Sequence, residues 1–450
     1  MNGRKRRLRK KNIYYIRKSL RVLKQKNKQY IEYSNITSHK STGRFNETIL
    51  NFLSKTEFNI KINVQMKSKT KVLVKVPKVF SFSQNPDETI DTLCYLFNIC
   101  FKKNVREIFF DHSDCEVLDI GASAVMDIIL LSIIKDKNRR GMRLGCEGEL
   151  PVDNEIRELL FVSGLLKHLG VTKGVYNSKK IKKLDLIDGG IGYSSKKSEG
   201  GKSGEAATKI AEYYNECLQT QGYRLNSKGI KYVCHIVGEV INNCEIHAGD
   251  FCKWYALGHY SINESEQYGI CHLTIFNFGQ TIYEGLRTDQ TTVEMKNKLR
   301  SMSKVHAGFF GIGGWDEECL WTLYALQDGV SRFYDKEKAP TRGTGTIKLI
   351  DSFQKIGDTQ YIDEFPIMSI VSGHTYIYFN SKYCLKDELM EDGETRQIIA
   401  FNPSNSLKKP PDGENVKKLK NYFPGTVISM RFFLERNYIK KAIGEVENGG

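Results

Sequence analysis

The sequence has no run approaching the roughly 18 uninterrupted apolar residues that a membrane-spanning helix needs. Its most apolar stretch, Ala124 to Ile134, is short and is broken by Asp127. No membrane span is expected. No two of the eleven cysteines stand in CxxC spacing. An odd, scattered set in a long chain suits reduced thiols better than a disulfide framework or a zinc site. Acidic residues are missing altogether from Met1 to Ile31, where thirteen Lys and Arg are found. No apolar segment follows that basic run, so it is not a secretory signal, and a cytoplasmic location is expected.

The rest of the composition is that of a folded protein. The chain has 450 residues, 40% of them apolar and 11% aromatic. That is enough for two or three domains with real cores. The net charge is +16, but most of it sits in the N-terminal arm. The body is close to balance. Residues 1–31 could bind nucleic acid or an acidic lipid surface through counterion release, with Tyr14, Tyr15 and Tyr30 stacking on bases. They could equally be a solvated, partly helical tail.

Residues 32–69 are rich in Asn, Ser, Thr and Lys and read as a polar connector, so the arm and connector together span 1–69. A regular pattern follows over 70–175. Val72 to Phe80 alternates as a strand. Glu88 to Phe101 has helical apolar spacing. Val105 to Phe110 is a short strand, Gly121 to Ile134 a buried helix, Met142 to Cys146 a strand and Glu155 to Leu169 a helix. Strand and helix in alternation predict a small α/β domain with a partly parallel sheet. Residues 176–204 read as a linker. Within it, Gly201-Lys202-Ser203 ends like a P-loop, but Lys196 stands where the leading glycine is required and no apolar strand leads in.

Over 205–440 the pattern changes. Helices are expected over Glu205 to Thr220 and Asn226 to His247, then a strand over Ile270 to Phe278. Further helices are expected over Trp315 to Gly329 and Thr346 to Phe353. Pro366 to Val371 and Tyr376 to Asn380 read as a hairpin across Ser372-Gly373-His374. Asn402 to Phe423 reads as a polar loop, and Gly425-Thr426 as the opening of a last strand through Leu434. Helices followed by strands predict an α+β layer.

The segment Val237 to His247 carries the most chemistry. Ile230, Val233, Val237, Val240, Ile241 and Cys244 form a core-facing stripe. Glu239, Asn243 and His247 recur every four residues, which puts them in one row on a neighbouring face. An aligned carboxylate, amide and imidazole suit a metal–phosphate site. Mg²⁺ prefers oxygen ligands and keeps several waters, so Asn243 with phosphate oxygens would suffice. Glu239 could orient or deprotonate a water. The same row also fits an amphipathic helix with its polar edge in solvent. Downstream, Gly279 follows the strand ending in Asn277-Phe278 and would let a ligand ring approach the backbone. Arg342-Gly343-Thr344-Gly345 precedes a helix and offers free N–H groups to phosphates.

In this order these features resemble the GHKL ATPase superfamily of DNA gyrase, heat-shock chaperones, sensor histidine kinases and mismatch-repair ATPases. Glu239, Asn243 and His247 match its Glu-x-x-x-Asn-x-x-x-His/Lys motif in full. Asn277 and Gly279 occupy the first two positions of its Asp-x-Gly-x-Gly motif, with Asn for the carboxylate and Thr281 for the last glycine. Arg342 to Thr346 resembles its glycine box, and Gly425-Thr426 its closing Gly-Thr. The resemblance covers about residues 205–435. It implies helices on one face of a mixed, mostly antiparallel sheet, binding ATP and Mg²⁺. In it Glu239 acts on water and Asn243 holds the metal. His247 and the turn from Arg342 through Gly345 face phosphates, Asn277 and Thr426 face adenine, and Gln280 to Thr341 form a lid. His235, one turn before Glu239, reads as a packed or nucleotide-adjacent histidine and not a phosphoacceptor.

Residues 70–175 resemble a STAS domain, through their strand–helix order and Val117 to Ser123 leading into a helix. In the anti-sigma-factor antagonists of that family a serine follows the aspartate and is phosphorylated. Here Ile120 follows Asp119, so that chemistry is not expected. The resemblance implies a slow ATPase acting as a conformational switch, signalling to a protein partner or a second copy through the STAS-like domain. A serine/threonine kinase of the anti-sigma type shares the same pocket. A nucleic-acid-binding module using ATP as a structural ligand is a third expectation.

Overall fold

The computed structural model describes residues 48–60, 71–102, 105–163, 181–190, 201–247, 251–263, 268–306, 314–328, 330, 345–356, 365–389, 393 and 395–435. The chain divides into two compact units, Met1–Ser178 and Lys179–Gly450. The basic arm, 1–31, lies outside the described residues. Among the described residues no helix is long and apolar enough to cross a membrane.

Among the described residues the first element of the first unit is α1 (Ile49–Ser54), inside the stretch read as a polar connector. Thr48 caps it, accepting a hydrogen bond from Asn51 N, and Ile49, Leu50 and Leu53 are buried. Phe58 is buried too, and its carbonyl accepts from Asn98 Nδ2 at 2.8 Å. Three apolar side chains in six residues were hidden by the polar composition around them. The expected strand over Val72 to Phe80 is two strands, β1 (Lys71–Lys75) and β2 (Val79–Phe80). Pro77 has no N–H to continue a ladder and separates them. α2 (Pro86–Lys102), β3 (Glu107–Asp111), β4 (Val117–Leu118), α3 (Ile120–Arg139), β5 (Gly145–Glu149) and α4 (Asn154–Ser163) follow. β1, β3 and β5 form a parallel sheet in that order, and β2 pairs parallel with β4. Parallel neighbours need crossovers, which α2 and α3 supply.

The second unit contains β6 (Ile181–Gly190), α5 (Gly201–Gln219), α6 (Ser227–His247), β7 (Lys253–Asn263), β8 (Tyr268–Phe278), α7 (Ile282–Arg287), α8 (Val293–Val305), α9 (Glu317–Ala325), α10 (Gly345–Ile356), β9 (Ile367–Phe379), β10 (Lys386–Leu389), β11 (Thr395–Ile398) and β12 (Val416–Glu435). Five strands form one sheet in the order β6-β7-β8-β12-β9, and all four pairings are antiparallel. The mixed sheet expected from the sequence is therefore antiparallel throughout. Alternate residues of β8 (Cys271, Leu273, Ile275) and β12 (Ile428, Met430, Phe432, Leu434) join Ile210, Val240, Leu320 and Ile350 from the helices in one apolar cluster. A period of two along the strands means the helices cover a single face. The class is α+β.

Four local expectations give way. β6 lies inside the stretch read as linker and forms an edge of the sheet. The expected hairpin is the single strand β9, because Gly373, at φ +60°, makes an irregularity within the strand and not a turn between two. β12 begins at Val416, inside the expected polar loop, so Gly425-Thr426 stands mid-strand and opens nothing. Ile230, placed on the core stripe of α6, is exposed.

Candidate functional site

α6, β8, α7, α9, α10, β9 and β12 border a partly open cavity of about 140 Å³. Asn243 and Cys244 reach it from α6, Asn277 from β8, Gln280 and Thr281 from the turn into α7, and Thr426 from β12. Leu286, Ile370 and Ile428 supply apolar wall. Among the described residues no Asp, Glu, Lys, Arg or His lines it. Burial pushes the Cys244 thiol up to about 12, with neighbouring Glu245 adding to the shift, so it too is neutral.

Sheet register sets the polar end. Thr426 stands opposite Asn277 on one side and Ser372 on the other. Gly425 precedes Thr426 at φ +141°, and a Cβ there would collide with the Asn277 carbonyl. Only glycine permits this approach of β12 to β8. Asn277 is 2% exposed. Gln280 Oε1 is buried and has no hydrogen-bond partner among the described residues. A buried amide oxygen without a partner is uncommon, and one beside a cavity points to a ligand.

Thr281, in place of the last motif glycine, has a structural task. It caps α7, accepting from Glu284 N at 3.1 Å while Glu284 Oε2 accepts from Thr281 N at 2.9 Å. Tyr422 in turn donates to Glu284 Oε1 at 2.7 Å. Gly279 N donates to the Pro424 carbonyl at 3.3 Å, closing the β8–β12 ladder beside the cavity.

Asn243, Asn277 and Thr426 are thus brought together. Glu239 is half-buried one turn along α6, outside the cavity wall, against Gly345 at the start of α10. Arg342, Gly343, Thr344 and the side chain of His247 lie outside the described residues. His235 is exposed, not packed, with its Nε2 at 3.3 Å from Lys348 Nζ. The residues missed from the sequence are Gln280, whose amide had no motif to mark it, and Ser372, which had been assigned to a turn.

In the first unit Asp119 caps α3, accepting from Gly121 N at 2.6 Å. Ile120 and Ser123 are both buried, at 1% and 0% exposure. Neither presents a hydroxyl to solvent.

No protein-family description, curated protein or solved structure matches the chain.

Proposed function

We propose that the chain is a magnesium-dependent ATP-binding protein that hydrolyses ATP slowly and acts as a conformational switch. Its second unit is read as a GHKL-type domain and its first as a STAS-like interaction domain toward a protein partner or a second copy. One observation carries the reading: the metal-ligand candidate Asn243 shares a cavity with the buried Asn277, with Thr426 and with the unpartnered Gln280 Oε1. A neutral, hydrogen-bonding, partly apolar cavity suits a purine ring, and its size suits the base rather than a whole nucleotide.

The donor set fits the group. The Asn243 Oδ1 is a hard oxygen of the kind Mg²⁺ takes alongside water and phosphate. Bound Mg-ATP would supply the cleavable phosphoryl bond and the charge that neutralises it. Asn277 and Thr426 would hold the base edge, and the cavity's apolar wall would exclude water from its faces. Glu239, beside the N-terminal turn of α10, would orient a water and accept its proton at the carboxylate. With Ile120 in place of a serine and Ser123 buried, phosphorylation at that position has no part in this switch.

The test is thermal unfolding of the full chain with and without Mg-ATP. Ligand at a hundred times its dissociation constant should add about 2.7 kcal/mol. No shift with any nucleoside triphosphate removes the assignment.

A further inference from the structure

Asn277 cannot by itself choose between bases. A carboxamide carries an acceptor oxygen and a donor NH₂, so it can face either an amino group or a carbonyl. The choice falls to the hydroxyl beside it, on Thr426. Ser372 Oγ, fully buried, accepts from Ile282 N at 3.0 Å and has two acceptors in reach of its one proton, the Gly425 carbonyl at 3.1 Å and Thr426 Oγ1 at 2.9 Å. Given to Gly425, that proton leaves the bond between the two hydroxyls to Thr426's own, and Thr426, which lines the cavity, then offers lone pairs alone.

We propose that Ser372 gives its proton to the Gly425 carbonyl and so fixes Thr426 as a hydrogen-bond acceptor, and that the cavity therefore selects a purine with an exocyclic amino group over one with a carbonyl at that position. Ser372 is a positioning residue: it acts through Thr426 and through the N-terminal turn of α7, and does not touch the base. The inference rests on the nucleotide reading of this cavity and adds to it the source of base selectivity. A ligand carbonyl beside Thr426 would set two acceptors against each other at a buried site, where unpaired polar groups are costly.

The experiment titrates the full chain with Mg-ATP and with Mg-ITP, which carries a carbonyl where ATP carries its amino group. The wild type should prefer ATP by roughly tenfold, the worth of one hydrogen bond made against one opposed. Ser372→Ala frees the Thr426 proton to turn toward the ligand, and the preference should collapse to within about threefold. Should Ser372→Ala fail to fold, Thr426→Val carries the test. It keeps the Ser372 bonds to Ile282 and Gly425 and removes only the acceptor, and the preference should collapse again. Equal loss of both nucleotides with the ratio intact would mark Ser372 as merely structural and overturn the proposal. So would a wild type that binds both nucleotides alike. A wild type that binds neither overturns the nucleotide reading itself, and the selectivity proposal with it.

Discussion

Gly345, the first residue of α10, lies so close to Glu239 of α6 that a Cβ on it would stand 2.8 Å from the Glu239 Cβ and 3.3 Å from its Oε2. The carboxylate therefore sits beside the free N–H groups of a twelve-residue helix. α10 is held there further along by Tyr232 and Ser352, whose hydroxyls are 2.9 Å apart.

This contact predicts the behaviour of Gly345→Ala. The added methyl meets the stem of Glu239, which is anchored on a helix, so the two helices must move apart. Overpacking of this kind costs about 1–3 kcal/mol. Stability from chemical denaturation should fall by that amount. The Mg-ATP-induced thermal shift should shrink as well, because the turn before α10 moves with it. A variant of unchanged stability would show that the helices are not in contact in solution.

A second prediction concerns pH. His259 on β7 and His272 on β8 are directly opposite in register, with ring centroids 6.2 Å apart. Burial lowers His259 to about 4. Burial, then the nearby His259 and Arg431, lowers His272 to about 3. Both folded values lie below the unfolded value near 6.5. The unfolded chain thus binds protons that the native state refuses. Stability is full above about pH 6.5 and falls as pH drops toward 4, by up to about 1.4 kcal/mol per pH unit per histidine. Urea midpoints between pH 7 and 5 check this. His272→Phe should flatten the slope, and a slope equal to that of the wild type would refute the pairing.

Asp127 in the middle of α3 should titrate in the opposite sense. It is 1% exposed, neither oxygen has a hydrogen-bond partner among the described residues, and burial holds its carboxyl well above the usual range. The native state keeps a proton there that the unfolded chain loses. This group's contribution is therefore best at low pH and worsens as pH rises past about 4. Asp127→Asn, of similar volume and unable to ionise, should stabilise the first unit at neutral pH by about 1–3 kcal/mol. A destabilised variant would mean that the carboxylate has a partner in solution.

The sequence exposed what is local and hid what is paired at a distance. The Glu239, Asn243 and His247 row follows from helical spacing, and α6 was legible to within a residue. Asn277 and Thr426 could be named from motif resemblance, but their standing opposite each other depends on the register of β8 with β12. β7 was missed because its apolar residues crowd both faces and give no clean alternation. β6 was missed because Lys, Asp and Gly dominate an edge strand. In β9 the Ser372-Gly373-His374 signal was real: Gly373 has positive φ. The long β12 partner on either side keeps the chain extended through it. Gln280 and Thr281 meet the cavity, and Ser372 meets Thr426, through tertiary pairing alone, which no spacing in the chain encodes.

Glu239 and Asn243 should fail in different ways when replaced. Asn243 lines the cavity and is the proposed metal ligand, so Asn243→Ala removes an oxygen from the magnesium shell. Mg-ATP affinity should fall, and the deficit should shrink when magnesium is left out. Glu239 stands outside the cavity, against Gly345. Glu239→Gln preserves that packing and removes only the base. Loss of a positioned general base costs about 10²- to 10⁴-fold in rate. Affinity should hold, because a carboxylate contributes no attraction to a triphosphate. The expected signature is ATP bound but not hydrolysed. If both residues were only a half-solvated helix edge, each variant would stay within about 0.5 kcal/mol of wild type in stability, with nucleotide binding untouched. Titration of labelled ATP against the two variants, with phosphate release followed in parallel, separates these outcomes. Wild-type values for both variants in both assays would remove this helix from any catalytic role.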